Sequence, residues 1–163
     1  MTIKFRNPIV FRAPAVQVDA VDSPLYAVGT IAEAVDSVYG NLELIYLKAG
    51  SGVTEAVGSF CGFGGDYETV LGVANGVYSS VAVSLAAKTA GQFGWYVKSG
   101  NVPTLVLASF ADNANCYLTS TAGSLDDAVV AGDYVYKAKS ISAISAGLAV
   151  IYLDNAFTTD GLA

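Results

Sequence analysis

The amino-acid sequence predicts an all-β protein: a compact β-sandwich or barrel-like knob of short strands with an extended N-terminal arm and few or no long helices. Three observations predict it. Short runs of β-branched and aromatic residues recur between Gly, Asn, Asp and Ser clusters at intervals of roughly 8–15 residues. No apolar repeat at helical spacing persists for the ~12 residues that a stable helix needs. The 163 residues are 53% apolar and only 13% charged, and Ala, Val, Gly, Ser, Thr and Tyr make up the bulk, a mixture suited to closely fitted sheets. Such a chain is too apolar for disorder and has the length of one domain, or of one domain with an appendage.

The arm is residues 1–28. Pro8, Pro14 and Pro24 stand in it; each breaks the helical ladder and biases the preceding residue toward extended geometry. Between them lie Ile9-Val10-Phe11 and Val16-Gln17-Val18. An extended segment carrying Phe5, Ile9, Phe11 and Val16 is poorly suited to free solution, so it should lie on its own domain or on a neighbour.

Residues 29–163 form the β-rich domain. Tyr39-Gly40-Asn41 signals a turn into a strand over Leu42 to Lys48, closed by Ala49-Gly50-Ser51-Gly52. Cys61 to Gly65 reads as a glycine-dense loop. Val77 to Leu85 alternates as a strand, and Gly94 to Lys98 is another, ended by Ser99-Gly100-Asn101. Thr104 to Leu107 follows Pro103. Cys116 to Thr119 ends at Ala122-Gly123, Tyr134 to Ala138 follows Ala131-Gly132-Asp133, and Gly147 to Leu153 closes at Asp154-Asn155. Helix is confined to single turns at Ile31 to Val38 and Thr54 to Val57 and a short helix at Leu125 to Val130 behind a Ser124 cap. There is no fixed-period repeat.

Function classes are narrowed by what the side chains are able to do. The chain has no His, and so lacks the commonest general base at neutral pH and the commonest transition-metal ligand. An enzyme is therefore not expected. Gly62-Phe63-Gly64-Gly65 resembles a phosphate loop only in its glycines: Asp66-Tyr67-Glu68 follows where a P-loop carries Lys-Ser/Thr, so a tight turn or bulge is the simpler reading. Asp126, Asp127 and Asp133 lack EF-hand spacing and read as a solvated acidic turn. Glu43 with Glu55, or Asp66 with Glu68, is the kind of carboxylate pair a glycosidase uses, and any acidic β protein offers such pairs. No Ser has a His or a Ser-x-x-Lys partner. No cofactor and no metal are expected. Cys61 and Cys116 are read as buried free thiols, a disulfide between them being open.

The formal net charge is −6, which disfavours nucleic acid. No window is long and apolar enough for a spanning helix, and no apolar run of a signal peptide follows the first cations, so no membrane contact is expected. The charge is uneven. Residues 1–18 carry Lys4, Arg6 and Arg12 and no acid, while residues 19–163 carry all 14 acids. The head is either a solvated basic tail or a set of interface cations, a role that suits the planar fork of Arg. The ten Tyr residues are ordinary sheet-edge residues, a lateral contact between identical subunits, or an aromatic platform for sugars led by Trp95, the one Trp.

Three stretches carry a resemblance. They are Gly29-Thr30-Ile31 through Tyr39-Gly40-Asn41-Leu42-Glu43-Leu44-Ile45-Tyr46-Leu47-Lys48, then Ala90-Gly91-Gln92-Phe93-Gly94-Trp95-Tyr96-Val97-Lys98-Ser99-Gly100, then Tyr117 through Asp133 with its Asp126-Asp127-Ala128-Val129-Val130-Ala131-Gly132-Asp133 ending. Over residues 25–155 the chain resembles the capsid decoration, or cement, proteins of tailed bacteriophages. The resemblance implies a non-enzymatic virion structural protein, made in the host bacterial cytoplasm and bound to the outer capsid surface. There a β-rich knob, commonly a homotrimer, holds the major capsid protein together where capsomers meet. The family has no catalytic residues to carry over. The arm matches no motif of it. From its own chemistry the candidate capsid contacts are Lys4, Phe5, Arg6, Ile9, Phe11 and Arg12, the cations pairing with acidic capsid residues and the apolar side chains seating along a sheet edge. The alternative is a receptor- or carbohydrate-binding virion module; a two-carboxylate carbohydrate hydrolase is a third and weaker reading.

Overall fold

A computed structural model describes residues 19–159, together with the backbone of residues 3–5. Among the described residues there are thirteen strands and no helix: β1 (Ile3–Phe5), β2 (Ile31–Asp36), β3 (Gly40–Ala49), β4 (Thr54–Glu55), β5 (Phe60–Phe63), β6 (Glu68–Leu71), β7 (Ser80–Ser84), β8 (Lys88–Thr89), β9 (Phe93–Leu105), β10 (Asn115–Leu118), β11 (Leu125–Asp126), β12 (Tyr134–Ser140) and β13 (Leu148–Thr158). The protein is all-β, as its sequence predicts.

The pairing explains both words of the expectation, sandwich and barrel. β3 runs parallel to β6, β6 pairs with β5, β5 with β7, β7 with β9, and β9 returns to β3. These five strands therefore close on themselves, which removes their edges. Residues opposite one another across a ladder share a face. Ile45↔Tyr96, Ser84↔Tyr96, Cys61↔Ala82, Cys61↔Leu71, Phe63↔Thr69 and Ala49↔Thr69 therefore all turn to one side. Ile45, Leu47, Cys61, Phe63, Ala82 and Tyr96, with Leu71 against them, form a self-contained apolar cluster, the filling of this small barrel. The other face of the same strands presents Leu44, Tyr46, Phe60, Val81, Val83, Trp95 and Val97 to a larger core.

That larger core is the sandwich layer. β9 spans 13 residues. Its first half, Phe93 to Ser99, pairs with β3; Ser99 is shared, and from Gly100 to Leu105 the strand pairs with β13 alone. β13, β12, β10 and β11 continue the sheet and pack Ile151, Leu153, Val135, Cys116, Leu118 and Leu125 against the barrel wall. The burial of β9 records the exchange: Gly94 to Val97 are buried on both faces, whereas Val102 and Thr104 alternate with half-buried neighbours.

Four sequence expectations need correction. Ser99-Gly100-Asn101 does not end a strand: Gly100 sits at φ +113° beside a register shift in the β3–β9 ladder, so the glycine bends β9 between partners. Asp154-Asn155 likewise lies inside β13, where Asn155 (φ 51°) and Lys137 of β12 (φ 59°) accommodate a bulge. Cys61 to Gly65 is mostly strand β5, whose Gly62 lies under the ring of Tyr78. The turns of helix considered at Ile31, Thr54 and Leu125 are the strands β2, β4 and β11, because each finds a ladder partner.

β1 pairs antiparallel with β2, Lys4 opposite Val35 and Phe5 opposite Ala34, and is one end of the sheet. The residues just before Gly29 lie on the body. Val21 exchanges two backbone hydrogen bonds with Phe93, the Leu25 N–H donates to the Tyr46 hydroxyl at 3.1 Å, and Tyr26 packs 5.3 Å from the rings of both Tyr46 and Trp95.

Candidate functional site

The most organised chemistry in the molecule lies at one mouth of the small barrel. β4 and β8 form a separate two-stranded sheet with Glu55 directly opposite Lys88, so both side chains turn to the same side. That side is inward: neither side chain has any exposed surface. Charges this deeply buried must be paired and hydrogen-bonded, and here they are. Lys88 Nζ stands 3.5 Å from Glu55 Oε2, donates to Ser84 Oγ at 2.6 Å and to the Ala86 carbonyl at 3.0 Å, and lies 4.2 Å from the centre of the Tyr96 ring, a cation–π contact.

The carboxylate is enclosed by hydroxyls from the barrel wall. Thr69 Oγ1 donates to Glu55 Oε1 at 2.6 Å. The Tyr96 hydroxyl sits 2.9 and 2.8 Å from the two oxygens and shares its single proton between them. Ser84 Oγ lies 2.9 Å from Oε2 and also 2.8 Å from the Ala86 carbonyl; its one proton satisfies one of these while its lone pairs receive Lys88. Burial pushes the Tyr96 hydroxyl and the nearby Cys61 thiol upward, with the Glu55 charge adding to both. Burial pulls the Lys88 ammonium downward, with Glu55 opposing. Tyr96 and Cys61 therefore remain protonated at neutral pH.

The surface is less organised. A hollow of about 420 Å³ is lined by Glu33, Asn41, Glu43, Ser99, Gly100 and Tyr152; Glu33 stands directly opposite Glu43, whose carboxylate lies 3.3 Å from Lys98 Nζ. On β10, β12 and β13 four rings form a continuous row: Tyr117–Tyr134 (5.5 Å), Tyr134–Tyr136 (4.8 Å) and Tyr136–Phe157 (5.2 Å, planes 9° apart). Large apolar side chains project from turns, Val129 at 81% and Val38 at 75% exposure.

The sequence-derived candidates distribute as follows. Lys4 and Phe5 lie in β1 at the sheet edge; Arg6, Ile9, Phe11 and Arg12 are outside the described residues. Of the carboxylate pairs, Glu43 and Glu55 are not brought together, Glu55 being sealed in the barrel mouth while Glu43 faces the surface hollow, whereas Asp66 and Glu68 line one shallow hollow beside Val70 and Tyr78. Glu68 pairs with Lys48 at 2.6 Å, and Asp66 accepts the Glu68 N–H. The three aspartates act separately: Asp133 accepts the Asn75 N–H at 2.5 Å, Asp127 that of Ala111, and Asp126 that of Asp127. No group of three or more His, Cys, Asp or Glu among the described residues is placed to hold a metal ion. Cys61 and Cys116 are unbridged and buried, one inside the barrel and one in the sandwich core. Trp95 is only 1% exposed and leads no surface platform. The Glu55–Lys88 centre was hidden from sequence reasoning, its one signal being Lys88 itself, the sole charged residue between Glu68 and Lys98. In comparisons with known proteins, the chain matches no protein-family model and no curated protein sequence.

Proposed function

We propose that this chain is a non-enzymatic structural protein of a tailed-phage virion, a capsid decoration protein that sits on the outside of the shell as a trimer and joins neighbouring subunits of the major capsid protein. The observation that carries the reading is where the uncovered apolar surface lies. Among the exposed large apolar side chains, which include Ile31, Val70 and Tyr152 on strands, Val129 is the most exposed at 81% and projects with Val130 from the loop between β11 and β12, flanked by Asp126, Asp127 and Asp133. That loop belongs to the stretch through which the sequence resembles decoration proteins. Apolar loop tips on a stiff scaffold suit adhesion, in which contact area supplies the energy, and trimerisation multiplies three modest footholds through effective concentration.

The test is sedimentation with shells assembled without this protein. The full chain is expected to co-sediment at a fixed ratio to the shell protein and to raise the temperature at which the shells open. Val129→Ser/Val130→Ser is expected to weaken binding at least tenfold, and deletion of residues 1–18 to weaken it further. Failure of the full chain to bind, or equal binding by both variants, would overturn the proposal.

The aromatic row favours a second reading, a carbohydrate-binding virion module, since its half-buried members Tyr134, Tyr136 and Phe157 offer partly open ring surfaces on one sheet face at low entropy cost. A glycan array distinguishes the two: saccharide binding abolished by Tyr134→Ala would replace the first reading with this one.

A further inference from the structure

We propose that Lys88 and Glu55 condense to an amide between Nζ and Cδ, an intramolecular cross-link that fastens β4 to β8 across the mouth of the barrel. The reactants are cross-strand partners on the smaller sheet, with Nζ 3.5 Å from Oε2 and both side chains sealed from solvent. Each neighbouring group has a place in the reaction. The Ser84 hydroxyl bridges the two, 2.6 Å from Nζ and 2.9 Å from Oε2, and relays protons from nitrogen to oxygen by accepting one and passing on its own. One such transfer leaves a neutral amine and a carboxylic acid. The nitrogen lone pair then attacks Cδ, forming the C–N bond. A second proton passes from nitrogen through Ser84 to Oε2, and the Cδ–Oε2 bond breaks with release of one water. Ammonium and carboxylate thus become amide and water, with no oxidant, reductant or further reactant.

Oε1, which carries the negative charge of the tetrahedral intermediate, already faces two donors, Thr69 Oγ1 at 2.6 Å and the Tyr96 hydroxyl at 2.9 Å, the arrangement of an oxyanion hole. Burial lowers the Lys88 ammonium toward its nucleophilic, neutral form and keeps Tyr96 protonated as a donor. Two driving forces favour the product. Fixed neighbours react at effective concentrations of about 10⁵ M or more, which outweighs the preference of dilute amides for hydrolysis. A neutral amide also relieves the desolvation cost of a buried ion pair.

The experiment is intact mass of the purified full chain after complete denaturation. A value about 18 Da below the sequence mass is expected, one water lost, together with a branched peptide from proteolysis that joins the segments holding residues 55 and 88. Lys88→Ala and Glu55→Ala are expected to restore their own full sequence masses, and Ser84→Ala to give a mixture that converts slowly on incubation. The decisive reading is made on the natural chain, so a variant that fails to fold does not weaken it. A full sequence mass after prolonged incubation at neutral pH overturns the proposal. A loss of water mapped to any other residue, such as a cyclised aspartate, overturns it equally.

Discussion

At the residue scale, buried titratable groups make stability depend on pH. The Cys116 thiol is pushed up from its ordinary 9.0 to about 12, first by burial, with Asp127 adding and the Ser140 backbone hydrogen bond opposing. A raised value means that the folded chain holds a proton which the unfolded chain releases, so stability is complete below pH 9 and is lost on rising toward 12. Cys61 and Tyr96 act in the same direction. Lys88, lowered from 10.5 before the amide forms, acts oppositely in the uncondensed chain, where its contribution is complete once the pH exceeds 10.5; in the condensed chain it does not titrate. The urea midpoint is therefore expected to fall between pH 10.5 and 12, and Cys116→Ala to flatten the fall over that window by up to about 2 kcal/mol; an identical slope in the variant would exclude the assignment. At pH 7 Lys88→Met removes the cation buried against Glu55 and is expected to cost about 3–5 kcal/mol by urea denaturation, against under 1 kcal/mol for breaking the half-exposed Lys48–Glu68 pair by Lys48→Met. Little of this centre was legible in the sequence. Glu55 and Lys88 are 33 positions apart, and only the β4–β8 pairing makes them neighbours, with Thr69, Ser84 and Tyr96 arriving from three further strands.

At the scale of elements, the strands with strong propensity were legible and the irregularities inside them were not. Leu42 to Lys48 and Tyr134 to Ala138 lie within β3 and β12, because alternating β-branched and aromatic side chains fit a pleated, packed surface wherever they occur. Gly100 and Asn155 read as stops in the sequence because a turn and a bulge use the same backbone conformations; only the partner strand tells them apart. Gly62 is the sharpest instance. A Cβ there would drive into the ring of Tyr78, whose hydroxyl is hydrogen-bonded to the Val73 N–H and the Leu71 carbonyl. Gly62→Ala is expected to lower stability by about 1–3 kcal/mol, the cost of overpacking, whereas Gly65→Ala, which meets no atom within 4 Å, is expected to fall within about 0.5 kcal/mol. Thermal unfolding of the pair checks this, and equal effects would contradict the packing account.

At the scale of the whole molecule, the two cores share their walls, and this sets how the protein unfolds. β3, β5, β7 and β9 each give one face to the barrel filling and the other to the sandwich core. Trp95 and Tyr96 are chain neighbours on opposite sides of one strand, so neither core can lose its wall while the other keeps it. The expected result is a single cooperative transition. Trp95 fluorescence reports the sandwich core, and Cys61 and Cys116, both fully buried, report one core each through their reactivity with a thiol reagent. All three signals are expected to share one urea midpoint, with Cys116→Ala used to read Cys61 alone. β1 lies apart from these shared walls, resting on β2 through three residue pairs, while the Val21–Phe93 bridge and the packing of Tyr26 involve none of the first 18 residues. That truncation is expected to keep the single transition and to shift its midpoint only slightly. A Cys61 signal that precedes the fluorescence change would show instead that the barrel opens as a unit of its own, with the closed cycle of strands contributing less than the sandwich layer to holding the molecule together.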